Sequence, residues 1–379
     1  VQVLLASLPI LVVVVAMIGL RWRGASAGLL GLGTALVVAI TAFGFGTRTF
    51  QASGAAAATA GAMLEASFTA VTILWIVFPA LCIHELQSRT GAFEVLKGGI
   101  SRLSDEPRVL ALLIAWFFAL FMEGVAGFGT PVALAAPILV GLGFSPVQSV
   151  SLALIGHAAG VSFGAVGTPV LPQMTATALS GLELSAPTAL LHALLGWILV
   201  AFLLRLAGDA RTQRMHWRLG AFAAFLFFAP FLVLATWVGP ELPTIGGAML
   251  GGAAFAFVVG RRTTANGPNG AAVAQAALPY LVLLVLVLAT RLIPFLRDGM
   301  RAVVWEWTAF EGFVGRIEPL YHPGTLLMLA FALGGLAQRR APRELLAAAA
   351  AASRRLLPVV VALTAMLGLA RIMVHSQMI

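Results

Sequence analysis

The sequence predicts an all-α polytopic membrane protein of about 11–12 transmembrane or half-spanning helices. Two compositional facts and one pattern predict it. Hydrophobic residues make up 60% of the 379 positions, charged residues only 10%, and apolar runs of spanning length recur along the chain. A soluble domain is about one quarter charged. No soluble core could hide this much apolar surface, so lipid is the expected solvent for most of it. The mean hydropathy of +1.01 agrees.

The apolar runs fall near 2–20, 25–46, 66–86, 109–126, 130–143, 146–164, 187–206, 219–238, 242–260, 272–293, 322–337 and 356–379. Glycine and proline interrupt several, which makes some of them half-spans. The run 2–20 reads as a spanning helix rather than a secretory leader. No charge precedes it, it has no small-residue cleavage pattern, and Arg21 and Arg23 follow it. Residues 294–320, with Trp305, Glu306 and Trp307, read as an interfacial loop or short helix with an aromatic anchor. The Arg- and Ala-rich stretch 338–355 is expected to form a separate interfacial helix on the cytoplasmic face. The stretch 261–270, RRTTANGPNG, reads as a turn-rich loop.

Charge orients these spans. The net charge is +9, from 23 basic and 14 acidic residues. With the N-terminus outside, 17 of the 23 basic residues fall in 21–23, 89–108, 205–218, 261–262 and 338–355, all cytoplasmic. Five (Arg48, Arg291, Arg297, Arg301 and Arg316) fall on the other side, and Arg371 lies within the last apolar run. No basic stripe carries interleaved exposed aromatics, so a nucleic-acid partner is not expected. Cys82 is the only cysteine, which excludes an intrachain disulfide, a cysteine metal cluster and a CxxC redox site. No cofactor is expected. With Cys82 replaced, single cysteines placed in 294–320 should react with an impermeant maleimide from the periplasmic side. Cysteines placed in 205–218 should not, and labelling there would overturn the orientation.

The chain is expected to be one transmembrane transporter domain, 1–379, with a first repeat at about 1–206 and a second, incomplete repeat at about 219–379. Gly129-Thr130-Pro131-Val132 recurs as Gly167-Thr168-Pro169-Val170. A fainter echo relates 54–93 to about 345–379, with Ser88 aligned to Ser376. Duplicated halves mark transporter folds.

The chemistry concentrates in 121–172. Glycines and prolines interrupt apolar segments there, and non-helical backbone at membrane depth is tolerated only where it is buried in protein or lines a polar cavity. Discontinuous helices are therefore expected near 123–131 and 164–169. Thr130-Pro131 is an N-cap and N1 signature with a helix expected to about 142, and Thr168-Pro169 repeats it. Two helix N-termini at membrane depth would suit a small carboxylate. The competing reading is two proline kinks that only help helices pack.

Glu123 is expected to be the one acid set deep in an apolar run without a charged neighbour. Its carboxylate is expensive to ionise there, which suits a proton-coupling site; the plainer reading is a neutral, hydrogen-bonded structural residue. His157 lies mid-span and serves either substrate and proton or helix packing. Arg371 and His375, spaced i, i+4, could face a cavity together. Arg371 then reads as a carboxylate ligand or as a side chain reaching to the interface.

This stretch resembles the L-lactate permease family. EGVAGFGTPVALAAPILVGLGF at 123–144 and SFGAVGTPVLP at 162–172 carry the likeness, which extends more loosely from about residue 4 to the end. The resemblance implies proton-coupled uptake of small 2-hydroxy monocarboxylates, L-lactate with D-lactate and glycolate, across a bacterial inner membrane. It transfers site roles only to Glu123, Gly127, Phe128, Gly129, Thr130, Gly167 and Thr168. It also implies that the chain stops before the counterpart of the Glu123 motif, which is expected beyond Ile379. Two alternatives stay open: a carrier of another organic anion such as a dicarboxylate, and a truncated, non-transporting membrane protein.

Overall fold

The structure is a computed structural model that describes residues 2–101, 103–104, 106–127, 130–208, 217–259, 269–310 and 312–379, without the side chains of Lys97, Ile100, Ser101, Thr130, Ala133 and Thr175. Most of the expected loop 261–270 lies outside the described residues. In chain order the elements are α1 (Gln2–Val14) with a π turn, α2 (Gly24–Ala42), α3 (Gly54–Arg89), α4 (Ala92–Ser101), α5 (Pro107–Ala111) and α6 (Ala119–Val125). There follow α7 (Thr130–Gly141), α8 (Pro146–His157), α9 (Gly164–Gly167), α10 (Val170–Thr177), α11 (Gly181–Ala207), α12 (Trp217–Trp237) and α13 (Pro243–Val259). The last are α14 (Gly270–Leu292), α15 (Pro294–Arg301), β1 (Trp305–Ala309), β2 (Phe313–Ile317), α16 (Pro323–Ala337) and α17 (Pro342–His375).

Among the described residues, nine helices are long and apolar enough to cross a membrane. Two shorter apolar helices, Pro243–Val259 and Pro323–Ala337, join them. The protein is thus an all-α polytopic membrane protein, as composition predicts.

Two expectations are corrected. Residues 338–355 do not form a separate helix. Residues 338–341 turn after α16, and 342–355 run without a break into the last span as the 34-residue α17. Pro342 suits the first helical position, alanine and arginine are strong helix formers, and the helix continues past Pro358. Residues 294–320, expected as a loop or a short helix, are α15 followed by a β-hairpin, with Trp305 opposite Ile317 and Ala309 opposite Phe313. Gly312, at φ +97°, makes the turn that a side chain would strain.

The chain divides into two compact units. Unit 1 comprises Val1–Phe78, Arg301–His322 and Ala350–Ile379. Its core joins Val13, Ala27, Ala35, Ala39, Ala58, Ala62, Phe313, Ile372 and Met373. Small residues let the helices approach closely, the usual device where lipid removes the hydrophobic drive for helix pairing. A two-stranded hairpin alone is marginal in stability. This one docks on α3: the Phe313 ring fills the space over Gly61, and the rings of Trp307 and Phe68 meet edge to face at 5.7 Å.

Unit 2 comprises Pro79–Met300 and Pro323–Ala349. At its centre stands the continuous helix Pro107–Val125, 94% of whose apolar window is buried by protein rather than left to lipid. Its Trp116 meets Phe227 and Phe228 edge to face. Between α5 and α6 the helix widens into a π stretch, Leu112–Phe118, and Gly156 of α8 presses on the Ala115 carbonyl. Helices so wrapped can carry polar groups that lipid would not tolerate.

Candidate functional site

The site begins where the central helix stops. Ala126 N and Gly127 N both donate to the Met122 carbonyl, at 2.9 and 3.2 Å, and Gly127 turns left-handed at φ +55°. This helix end leaves Glu123 on the last turn, buried. A Cβ on Gly127 would stand 3.3 Å from Ala165 N and 3.4 Å from Glu123 Oε1, so the position is confined as well as left-handed.

The second break meets the first there. Ala165 (φ 42°, ψ 55°), Val166 (φ 56°, ψ 43°) and Gly167 (φ +77°) form a left-handed turn. A β-branched residue in that region is a genuine outlier, and non-glycine residues there cost about 1–3 kcal/mol each. The surroundings hold the strain. Gly164 abuts Glu123 Oε1 so closely that an added Cβ would collide with it, and Gly167 lies on the Pro240 carbonyl. Both discontinuities thus converge on one carboxyl group.

His157 completes the pair. Its Nε2 stands 3.9 Å from Glu123 Oε2, and its Nδ1 lies 2.7 Å from the Ala153 carbonyl. A carbonyl can only accept, so Nδ1 carries hydrogen. In the neutral ring Nε2 is then a bare acceptor facing the acid. At 3.9 Å the two are not hydrogen-bonded directly; a small side-chain rotation or a bridging water closes the gap.

Thr168 does not cap a helix. Its hydroxyl donates to the Ala165 carbonyl, the i−3 bond that threonine readily makes, and α10 starts at Val170 after Pro169. α7 opens at Thr130, one residue before the start that the Thr-Pro signature predicts, and ends at Gly141. The side chain of Thr130, and Phe128 and Gly129 altogether, lie outside the described residues. Arg371 belongs to unit 1, where it stands 3.7 Å from Glu65.

Glu123 is not the only buried acid. Glu65, Glu85 and Glu241 are buried too. Each of them has a close cation: His375 for Glu65, Arg89 for Glu85 and Arg291 for Glu241. The last pair was unforeseen, because the sequence shows Arg291 only as an outer-side charge at the end of the run 272–293. In the structure its Nη2 meets Glu241 Oε1 at 2.7 Å with both side chains buried. The pair anchors the 239–242 segment that backs the Gly167 turn. Removing one partner of a buried pair costs about 3–5 kcal/mol. Glu241→Ala should therefore lower the unfolding midpoint sharply, while Glu241→Gln, which keeps an acceptor, should lower it less. Sequence reasoning also passed over His192, whose Nε2 lies 2.7 Å from Ser162 Oγ and helps hold the approach to the second break.

Helices of this number and polarity, two of them broken round a buried acid, define a polytopic integral membrane protein. The chain belongs to the L-lactate permease family. The family's model, described as L-lactate permease, matches residues 2–318. An L-lactate permease of Streptococcus iniae is 29% identical over 390 residues, covering 100% of this chain and 81% of the relative. One from Bacillus subtilis is 31% identical over 67% of this chain and 44% of its own length. A glycolate permease of Escherichia coli is 29% identical over 65% of this chain and 43% of its own. The chain thus aligns with less than half the length of the last two. No solved structure matches it.

Proposed function

We propose that the protein carries small 2-hydroxy monocarboxylates across the bacterial inner membrane together with a proton. L-lactate is the principal substrate, with D-lactate and glycolate accepted. The observation that supports this most is the Glu123–His157 pair at the meeting of the two broken helices. With Nδ1 held on Ala153, one proton serves the pair, residing on the Glu123 carboxyl or on His157 Nε2. A negative substrate beside Glu123 favours the protonated pair, since like charges repel strongly where water screens them poorly. Proton and anion then bind together and cross with their charges balanced.

The substrate carboxylate is assigned to the backbone of the two breaks. Gly127, Phe128, Gly129 and Thr130 lead into α7, whose first turn carries unpaired N–H groups. Gly167 and Thr168, in the second break, are assigned to the same anion site, with the Thr168 hydroxyl held by the Ala165 carbonyl. The names of the relatives, lactate and glycolate permeases, support the substrate class. The test is uptake by purified protein in proteoliposomes. With the outside acidic, L-lactate should accumulate, and excess glycolate should compete. Uptake no greater than in empty liposomes, or indifferent to the gradient, would overturn the reading.

A further inference from the structure

Unit 1 holds a second acid–histidine pair that the proposed function does not use. Glu65 of α3 accepts from the Val314 N–H of the hairpin at 2.9 Å through Oε1. Its Oε2 lies 2.7 Å from His375 Nε2 and 3.7 Å from Arg371 Nη1, both on α17. Three donors from two elements thus surround one carboxylate.

Arg371 is the odd member. At 3.7 Å it is outside hydrogen-bond range of Glu65, and it makes no hydrogen bond with any of the described residues. Its side chain is 24% exposed, against 6% for the Glu65 beneath it. Glu65 balances its charge, but a guanidinium inside an apolar helix that is paired without a hydrogen bond keeps donors for a ligand. One helical turn on, an aromatic wall stands against His375. Phe50 and Phe313 stack at 4.8 Å, and the His375 ring sets its edge against them at 5.7 and 4.9 Å.

We propose that Arg371, His375 and the Phe50–Phe313 pair form a second binding site, for a small carboxylate. The guanidinium takes the carboxylate, the rings take the short apolar substituent, and Glu65 is the resident acid that sets the affinity. The choice of a monocarboxylate rests on the proposed function; the anion-binding donor set stands without it. Glu65 repels the incoming anion, so neutralising it strengthens binding. The charged groups facing Glu65 are His375 and Arg371, and the hairpin contributes only the Val314 amide.

The test reads the site locally, by the NMR signal of His375 in protein labelled at its six histidines and assigned by loss in His375→Gln. L-lactate should shift this signal saturably, and acetate should do so more weakly. Chloride at equal ionic strength should leave it in place. Arg371→Gln should weaken the response at least about tenfold, and Glu65→Gln should tighten it by a similar factor, as expected when a like charge a few ångströms away is removed. A His375 signal that ignores lactate, follows chloride equally or is unchanged in Arg371→Gln would overturn the site. If Arg371→Gln does not fold, absence of tightening in Glu65→Gln does the same. A lactate response at His375 without uptake by proteoliposomes would count against the transport reading and leave this site standing.

Discussion

Glu123→Gln proteoliposomes should exchange lactate but fail to accumulate it. In an electroneutral one-to-one symport, an outside acid by one pH unit can drive about tenfold accumulation, because one unit is worth about 1.4 kcal/mol. Glutamine keeps the shape of the protonated acid and removes its proton exchange. The Gln variant should therefore equilibrate labelled lactate, and its accumulation ratio should fall to one at any imposed gradient. The carboxyl is buried, adjoins both helix breaks and faces His157 Nε2, and glutamine cannot pass a proton to that nitrogen. If the variant still concentrates lactate in response to pH, Glu123 is not the coupling residue, and His157 must be tested in its place.

Gly164→Ala should cost nearly as much by a different route. Gly164 has ordinary extended angles, φ −65° and ψ 159°, so alanine suffers no backbone strain. What it meets is Glu123 Oε1. Overpacking of this kind costs about 1–3 kcal/mol, or displaces the carboxyl from His157. Uptake should fall by about tenfold or more while the protein remains folded by circular dichroism. Shortening the acid should relieve the collision, so Gly164→Ala with Glu123→Asp should recover part of the loss. Wild-type transport by the single variant would show that the carboxyl is not confined where the structure places it.

Much of the site was readable from residue types alone. Single prolines leave the long helices unbroken, as at Pro187, Pro230 and Pro358, but glycines clustered with a Thr-Pro pair point to broken backbone, which at membrane depth is tolerated only inside protein or along a polar cavity. That places discontinuities near 123–131 and 164–169, and the structure has them there. The character of the second break was not readable. Thr168-Pro169 looks like a cap and a first helical residue. Yet the chain turns left-handed at Ala165 and Val166, and the threonine spends its hydroxyl on Ala165. No local propensity favours a left-handed valine; the packing of Gly164 on Glu123 and of Gly167 on Pro240 imposes it.

What the sequence by itself determined is the solvent and most of the spanning helices. Apolar runs of spanning length are set by composition, a property of each segment taken alone, and so these helices were legible, the start of α7 to within one residue. Pairing was decided only by the tertiary structure. Glu65 with His375, Glu241 with Arg291 and Glu123 with His157 join residues 310, 50 and 34 positions apart. A buried charge is affordable only beside its partner, and which partner reaches it depends on how helices pack rather than on how each one forms. The hairpin at 305–317 belongs to the same class: its strands are held by Gly61, Phe68 and Glu65 of a distant helix, and nothing within the segment announces that support.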